Sequence, residues 1–170
     1  LVFQNFGDGA FFDYSIDRAI EITAENNKVL GCYIGTDSTG TLRRAAKTYA
    51  GVYVNAANNT IGDGTAAGRN LISGYAKYDA VSFLWSNGIL IIGATASGNV
   101  IKGNIMGLQK DGATALPDFC GIYIEETAGG GNVIGGAAAG EGNVISACSE
   151  LPVNRTGVGI DARGASTIGD

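Results

Sequence analysis

Short runs with apolar residues at alternate positions recur along the chain. They are AIEI from residue 19, GVYV from 51, GILI from 88, GIYI from 121 and GVGI from 157. This alternation is typical of β-strands with one buried face. The runs begin 32 to 37 residues apart, and each interval holds two further short apolar pieces introduced by asparagine, such as Thr60-Ile61 and Leu71-Ile72. The pattern therefore predicts three short strands in every interval.

Two longer stretches of sequence, which contain these strands, recur in alternation along the chain. NKVLGCYIG at 27–35 returns as NVIKGNIMG at 99–107, 72 positions later. The stretch at 58–75 returns at 131–148 with an offset of 73, through the identical residues Asn132, Ile134, Gly135, Asn143, Ile145 and Ser146. Internal repetition of this kind indicates a repeat architecture, in which each unit buries its apolar face against its neighbours.

The strand triplets predict an all-β solenoid of about five coils, with each strand pairing in parallel with its counterpart one coil away. Equivalent aliphatic residues are then expected to stack in columns, namely Ile61 with Ile134, Ile72 with Ile145 and Val52 with Ile122. A helix is not favoured, because glycine interrupts every candidate helical face; the best helical candidate is 41–51. We expect one domain over residues 1–170.

Asparagine precedes many of the short strands. A sharp bend at these points calls for a residue that tolerates the left-handed backbone region and whose side-chain amide can bond backbone or a stacked amide. The predicted structural turn asparagines are Asn59, Asn70, Asn99, Asn132 and Asn143.

Composition and charge narrow the choice of partners and chemistry. The net charge is −5, which disfavours a nucleic-acid binder, and no apolar run is long enough to span a bilayer. The chain has no histidine, so a histidine base or metal ligand is excluded. The three cysteines, Cys32, Cys120 and Cys148, fit no metal-binding spacing, and we expect buried free thiols.

The pattern N-x-I-G-G followed by G-N-V-I-S, together with IGTDSTGT at 34–41, resembles right-handed parallel β-helix proteins of the pectin-lyase-like superfamily. The likeness is greatest to the glycine-rich repeats of large secreted bacterial proteins, and it covers about residues 19–170. It implies a right-handed coil and an extracellular or cell-surface location. It leaves function open, because the superfamily includes polysaccharide lyases and hydrolases, tailspikes, adhesins and stalks.

The best candidate surface for chemistry lies on two loops that follow the CYIG and NIMG strands. A lyase would require carboxylates that converge on calcium beside a basic residue, and the sequence offers no such cluster. The candidate loop surface comprises Asp37, Arg43, Arg44, Asp111 and Asp118. Asp37 and Asp111 are expected chiefly as turn residues that bond backbone amides, with carbohydrate contact as the alternative. We predict no catalytic residue, metal or cofactor.

The two ends of the sequence suggest parts of one coil. STIGD at 166–170 repeats NTIGD at 59–63, the second strand of its coil, while Leu1 to Phe3 resembles a third strand. We therefore expect either a segment of a longer solenoid or a unit that stacks end to end.

The favoured function is a structural or adhesive, non-enzymatic module of an extracellular or surface protein. Its partners would be other copies end to end or neighbouring repeats of a longer chain, with carbohydrate as a further candidate. The alternatives are a polysaccharide lyase or hydrolase domain, and self-assembly into fibres as the main function.

Overall fold

A computed structural model describes residues 1–3, 18–44, 49–76, 78–79, 84–146, 148 and 158–163. These residues contain strands and turns but no helix. The strands are β1 (Val2–Phe3), β2 (Arg18–Ile22), β3 (Lys28–Val29), β4 (Tyr33–Ile34), β5 (Ala50–Val54), β6 (Thr60–Ile61), β7 (Leu71–Ile72), β8 (Tyr78–Asp79), β9 (Leu84–Trp85), β10 (Asn87–Ile91), β11 (Val100–Ile101), β12 (Ile105–Met106), β13 (Cys120–Ile124), β14 (Val133–Ile134), β15 (Val144–Ile145) and β16 (Val158–Ala162).

Three parallel sheets form the walls of a solenoid. Sheet A has the order β1-β4-β7-β12-β15, sheet B the order β2-β5-β10-β13-β16, and sheet C the order β3-β6-β11-β14. Each turn passes through sheets B, C and A, so that β2–β4, β5–β7, β10–β12 and β13–β15 make turns 1 to 4. The predicted all-β solenoid with three strands per coil is confirmed. The described chain makes four complete turns, with β1 in the preceding turn and β16 in the following one.

One pair of strands departs from the purely parallel pattern. Strands β8 and β9 pair antiparallel and come between turns 2 and 3 in chain order. The helical candidate at 41–51 is not helical where it is described, and its residues 45–48 lie outside the described residues.

The core consists of aliphatic columns that run along the solenoid. In sheet C, Ile61 and Ile134 flank Ile101 in register. Ile72 and Ile145 likewise flank Met106 in sheet A, and Val52 and Ile122 flank Ile89 in sheet B. All three predicted columns are confirmed, with one turn between the predicted partners. Full burial of such side chains stabilises the fold by about 1.5–3 kcal/mol each.

A column of glycines sets how closely the turns approach in sheet B. A Cβ on Gly51 would lie 2.6 Å from the carbonyl oxygen of Gly88, and one on Gly88 would lie 2.7 Å from that of Gly121. Side chains at these positions would therefore collide with the backbone of the next turn, and only glycine fits.

Loop lengths explain why the sequence repeats every two turns. The connection from sheet C to sheet A is short in turns 1 and 3, at 30–32 and 102–104, and long in turns 2 and 4, at 62–70 and 135–143. Each long connection covers a neighbouring short one, since Gly31 N donates to Gly68 O at 3.1 Å and Gly103 N to Glu141 O at 3.0 Å. Neighbouring turns therefore need loops of different length.

Two lobes cover the outer face of sheet A. Lobe 1 (36–43) follows turn 1 and lobe 2 (108–115) follows turn 3, and each is closed by one antiparallel bridge. Beneath them, Leu71 and Ile105 are buried and pack with Leu108. The lobes also join turns, because Ser73 Oγ of turn 2 donates to Leu108 O at 2.7 Å.

Candidate functional site

A ladder of asparagines runs along the corner that precedes sheet C. It consists of Asn27, Asn59, Asn99 and Asn132, and we call it the first ladder. In each step a main-chain N–H donates to the side-chain Oδ1 of the next turn, at 2.8 Å from Asn27 to Asn59, 2.9 Å from Asn59 to Asn99 and 3.0 Å from Asn99 to Asn132. The last three asparagines are fully buried. The ladder therefore joins all four turns through polar contacts inside the protein.

The amide nitrogens of this ladder also have partners. Asn59 Nδ2 donates to the carbonyl oxygens of Ala56 and Ala57, and Asn99 Nδ2 donates to Asn132 Oδ1 at 3.0 Å. A buried amide without partners would cost roughly 1–3 kcal/mol, so these bonds are a condition for placing asparagine there.

A second ladder follows the corner that precedes sheet A. Cys32 N donates to Asn70 Oδ1 at 2.9 Å, Asn70 Nδ2 to Asn104 Oδ1 at 2.9 Å, and Asn104 N to Asn143 Oδ1 at 3.0 Å. Asn104 belongs to this ladder although sequence reasoning did not single it out; its position before an apolar pair was the available signal. Cys32 occupies the corresponding position in turn 1 and ends the row of amides.

The left-handed residue at the sheet C corner is not the ladder asparagine but the residue before it. Asn26, Asn58, Gly98 and Gly131 have φ values of 65, 58, 63 and 75°. The expectation that the ladder asparagines themselves adopt this conformation is wrong for the described chain. Their side chains have a different task, because they satisfy backbone groups of adjacent turns.

Asp37 organises lobe 1. Its carboxylate accepts from Thr39 Oγ1 at 2.8 Å and from the N–H groups of Thr41 and Leu42, both at 3.1 Å. The Thr39 hydroxyl, followed by these amides, lowers the pKa of Asp37. The residue is therefore an ionised turn former, with its acceptor capacity directed into its own loop.

Asp111 organises lobe 2 from a different position. Its carboxylate accepts from Thr114 Oγ1 at 2.6 Å and from the amides of Ala113 and Thr114, both at 2.9 Å, and the Thr114 hydroxyl contributes most to lowering its pKa. The backbone pattern of the lobes aligns Asp37 with Gln109, because both donate their N–H across the lobe, to Leu42 O and Thr114 O. The two aspartates thus stabilise the two lobes from positions that are not equivalent.

Asp118 lies inside the protein and not on the expected loop surface. Its side chain is completely buried, and Oδ1 accepts from Tyr75 N at 2.8 Å. Burial raises the pKa of Asp118 to about 8, while backbone amides and the charge of Arg43 oppose the shift. The Oδ2 atom has no hydrogen-bond partner.

The two arginines of the candidate surface belong to the end of lobe 1. Arg43 forms the closing bridge with Thr36, its side chain packs over Gly74, and Arg44 N donates to Gly35 O at 2.7 Å. Both side chains are exposed. The five predicted residues therefore do not form one surface. Asp37 and Asp111 lie in the turns of the two lobes, Arg43 and Arg44 lie at the end of lobe 1, and Asp118 lies in the interior.

The described residues contain neither a cluster of metal ligands nor a reactive cysteine site. No group of three or more Cys, Asp or Glu side chains could hold a metal ion there. The three cysteines are unpaired; Cys32 and Cys120 are buried, and Cys148 is partly exposed. Burial raises the pKa of Cys120 to about 12 and that of Cys148 to about 11, which makes both thiols poor nucleophiles.

An aromatic row on the outer face of sheet B was missed by sequence reasoning. Tyr53 and Tyr123 flank the fully buried Leu90 in register. Arg18 lies 3.7 Å from the ring centre of Tyr53, and Arg163 lies 5.2 Å from that of Tyr123. The signal was the tyrosine at the same place in GVYV and GIYI.

No protein-family model, curated protein or solved structure matches the chain. The part of the chain that the structure describes has no helix that could cross a membrane. The structure itself establishes the fold, which is an all-β parallel solenoid with three strands per turn.

Proposed function

We propose that this chain is a rigid structural or adhesive module, without catalytic activity, of an extracellular or cell-surface protein. The supporting observation is the use of its buried polar residues. The asparagine ladders direct their amides to backbone and to each other across successive turns. A solenoid connected in this way resists bending between turns, because a bend would break ladder bonds and open the aliphatic columns.

The lobes support the same reading. The carboxylates of Asp37 and Asp111 accept hydrogen bonds from their own loops. A catalytic pair would instead be directed toward a shared space for substrate. The extracellular assignment draws on the resemblance to secreted glycine-rich repeat proteins, and carbohydrate is the ligand class that such a surface module would meet.

Hydrogen exchange tests the rigid module. We expect the amides of turns 2 and 3 to exchange in one slow, cooperative group, with faster exchange in the lobes. Exchange of one of these two turns independently of the other would contradict a continuous rigid unit.

Turnover assays test the absence of catalysis. We expect no new reducing ends and no unsaturated products from a panel of acidic and neutral polysaccharides. Turnover that the single variants Asp37→Asn and Asp111→Asn abolish, while the fold is retained, would replace the structural proposal with an enzyme.

A further inference from the structure

One short motif of the sequence points to a chemical modification. Asparagine-linked glycosylation takes place at Asn-x-Ser or Asn-x-Thr, where x is any residue except proline. The sequence contains this motif as Asn-Asn-Thr at 58–60 and as Asn-Arg-Thr at 154–156. The second motif lies outside the described residues. The first lies at the corner that leads from sheet B into β6, where its surroundings can be examined.

The two asparagines of this motif have different environments. Asn59 is fully buried, and its side chain bonds the N–H of Asn27 and the carbonyl oxygens of Ala56 and Ala57. Asn58, one residue earlier, is exposed. The first ladder therefore uses Asn59 and leaves the carboxamide of Asn58 at the surface.

The next turn fixes the backbone of Asn58 and leaves space beside its side chain. Its φ of 58° lies in the left-handed region, and its N–H donates to Ser97 O at 2.9 Å. The carboxamide lies over Gly98, because a Cβ added there would stand 2.7 Å from Asn58 Oδ1. Gly131 occupies the same corner position in turn 4. Since neither glycine carries a side chain, no side chain at this corner position of turns 3 and 4 covers Asn58.

The third residue of the motif, Thr60, is the first residue of β6. Side chains alternate between the two faces of a strand, and the next residue, Ile61, is buried in the core. The side chain of Thr60 therefore lies on the outer face of sheet C. Both side chains that define the motif, those of Asn58 and Thr60, lie outside the core.

From this arrangement we infer that Asn58 is a site of asparagine-linked glycosylation. The donor is an oligosaccharide carried on a polyprenyl pyrophosphate, and an oligosaccharyltransferase of the secretory pathway catalyses the transfer. A bond forms between Asn58 Nδ2 and C1 of the first sugar, while the bond from C1 to the phosphate oxygen breaks. The nitrogen releases one proton, and the lipid pyrophosphate leaves with the electron pair.

A glycan at this position is compatible with the proposed structural module. Asn58 lies at the corner between sheets B and C, whereas lobes 1 and 2 cover the outer face of sheet A. The added group is bulky and hydrophilic, and it leaves the ladder intact because Asn59 makes the ladder bonds. The inference rests on the proposed extracellular function, since only a chain that enters a secretory pathway meets the transferase.

Turn 1 contains a counterpart of this corner without the motif. Asn26 is exposed and has a φ of 65°, close to that of Asn58. The sequence at 26–28 is Asn-Asn-Lys, and Lys28 pairs in register with Thr60. The substitution Lys28→Thr should therefore create a second glycosylation site, at Asn26, in the same backbone geometry.

Secretion of the full chain from cultured animal cells, behind a cleavable signal peptide, tests the inference. Every variant also carries Asn154→Gln, so that 58–60 is the only motif of the parent chain. We expect one glycan per molecule, seen as a mass increase that peptide N-glycosidase removes and mapped by peptide analysis to Asn58. Asn58→Gln and Thr60→Val should lose the glycan completely, whereas Thr60→Ser should keep it.

The variant Lys28→Thr gives the matched gain, with two glycans expected per molecule, at Asn26 and Asn58. After enzymatic removal of the glycans, all variants should keep the β-type circular dichroism of the parent chain. A folded parent chain secreted without a glycan, from cells that glycosylate a co-expressed reference protein, would overturn the inference. A glycan at Asn26 of Lys28→Thr with Asn58 unmodified would do the same.

This test and that of the structural function fail separately. A chain whose inner turns exchange as one slow group but which carries no glycan would overturn only the glycosylation of Asn58. A glycosylated chain whose turns exchange independently would overturn only the rigid structural function.

Discussion

The main-chain N–H of Asn59 donates to the side-chain Oδ1 of Asn99 at 2.9 Å, although 40 residues separate the two in sequence. The bond lies in the interior, since both residues are fully buried. It shows how the solenoid satisfies the backbone N–H groups at its corners. A backbone donor that turns away from the sheet at each corner finds its acceptor in the side chain of the next turn.

Substitution Asn99→Ala should destabilise the protein by about 3 kcal/mol, because it leaves the buried N–H of Asn59 without an acceptor and removes the bond to Asn132. Equilibrium urea unfolding measures this change. The matched control is Asn27→Ala: Asn27 is exposed, and its side chain bonds only the carbonyls of Ala24 and Glu25. The control should cost less than about 1 kcal/mol. Equal losses in both variants would show that the ladder adds nothing through burial.

Substitution Gly88→Ala should destabilise the protein by about 1–3 kcal/mol, because the added methyl would meet the carbonyl oxygen of Gly121. Gly142→Ala is the control, since a Cβ there meets no atom within 4 Å, and it should be neutral or slightly stabilising. Thermal unfolding of the two variants compares them directly. A tolerated alanine at 88 would mean that the turns are less closely spaced than described.

Asp118 should make stability depend on pH in the direction opposite to most carboxylates. Its pKa is raised by burial to about 8, from an ordinary value of 3.8, so the folded state holds a proton that the unfolded state has already released. The unfolding free energy should therefore fall as pH rises from about 4 to 8, by up to a few kcal/mol. Asp118→Asn should remove this slope, as measured by unfolding at pH 5, 6.5 and 8. A slope that persists in the variant would assign the effect to another group.

Sequence predicted the columns well because the two-turn repeat preserves both residue type and loop length. Ile61 and Ile134 have nearly identical surroundings in the sequence, so their equivalence is visible. Ile101 lies between them in the structure but belongs to a turn with a short connection, and its flanking sequence differs. Its place in the column follows only when strand pairing is known.

Asp118 and the ladder asparagines show what sequence reasoning could not supply. Asp118 follows a surface lobe in sequence, but segment 73–76 of the preceding turn packs against it and excludes water. The asparagines were expected at bends, yet the left-handed conformation belongs to residues such as Asn58, one position earlier. In both cases the deciding contact comes from a different turn, more than thirty residues away.

Contacts between methyl groups test the central claim most directly. In protein labelled at isoleucine methyls, the nuclear Overhauser spectrum should connect Ile61 with Ile101 and Ile101 with Ile134, in the order of their strands in sheet C. No direct contact should join Ile61 to Ile134, because two strand spacings, about 9.6 Å, separate them. A direct contact between Ile61 and Ile134, or the absence of both neighbouring contacts, would contradict the parallel solenoid and its register.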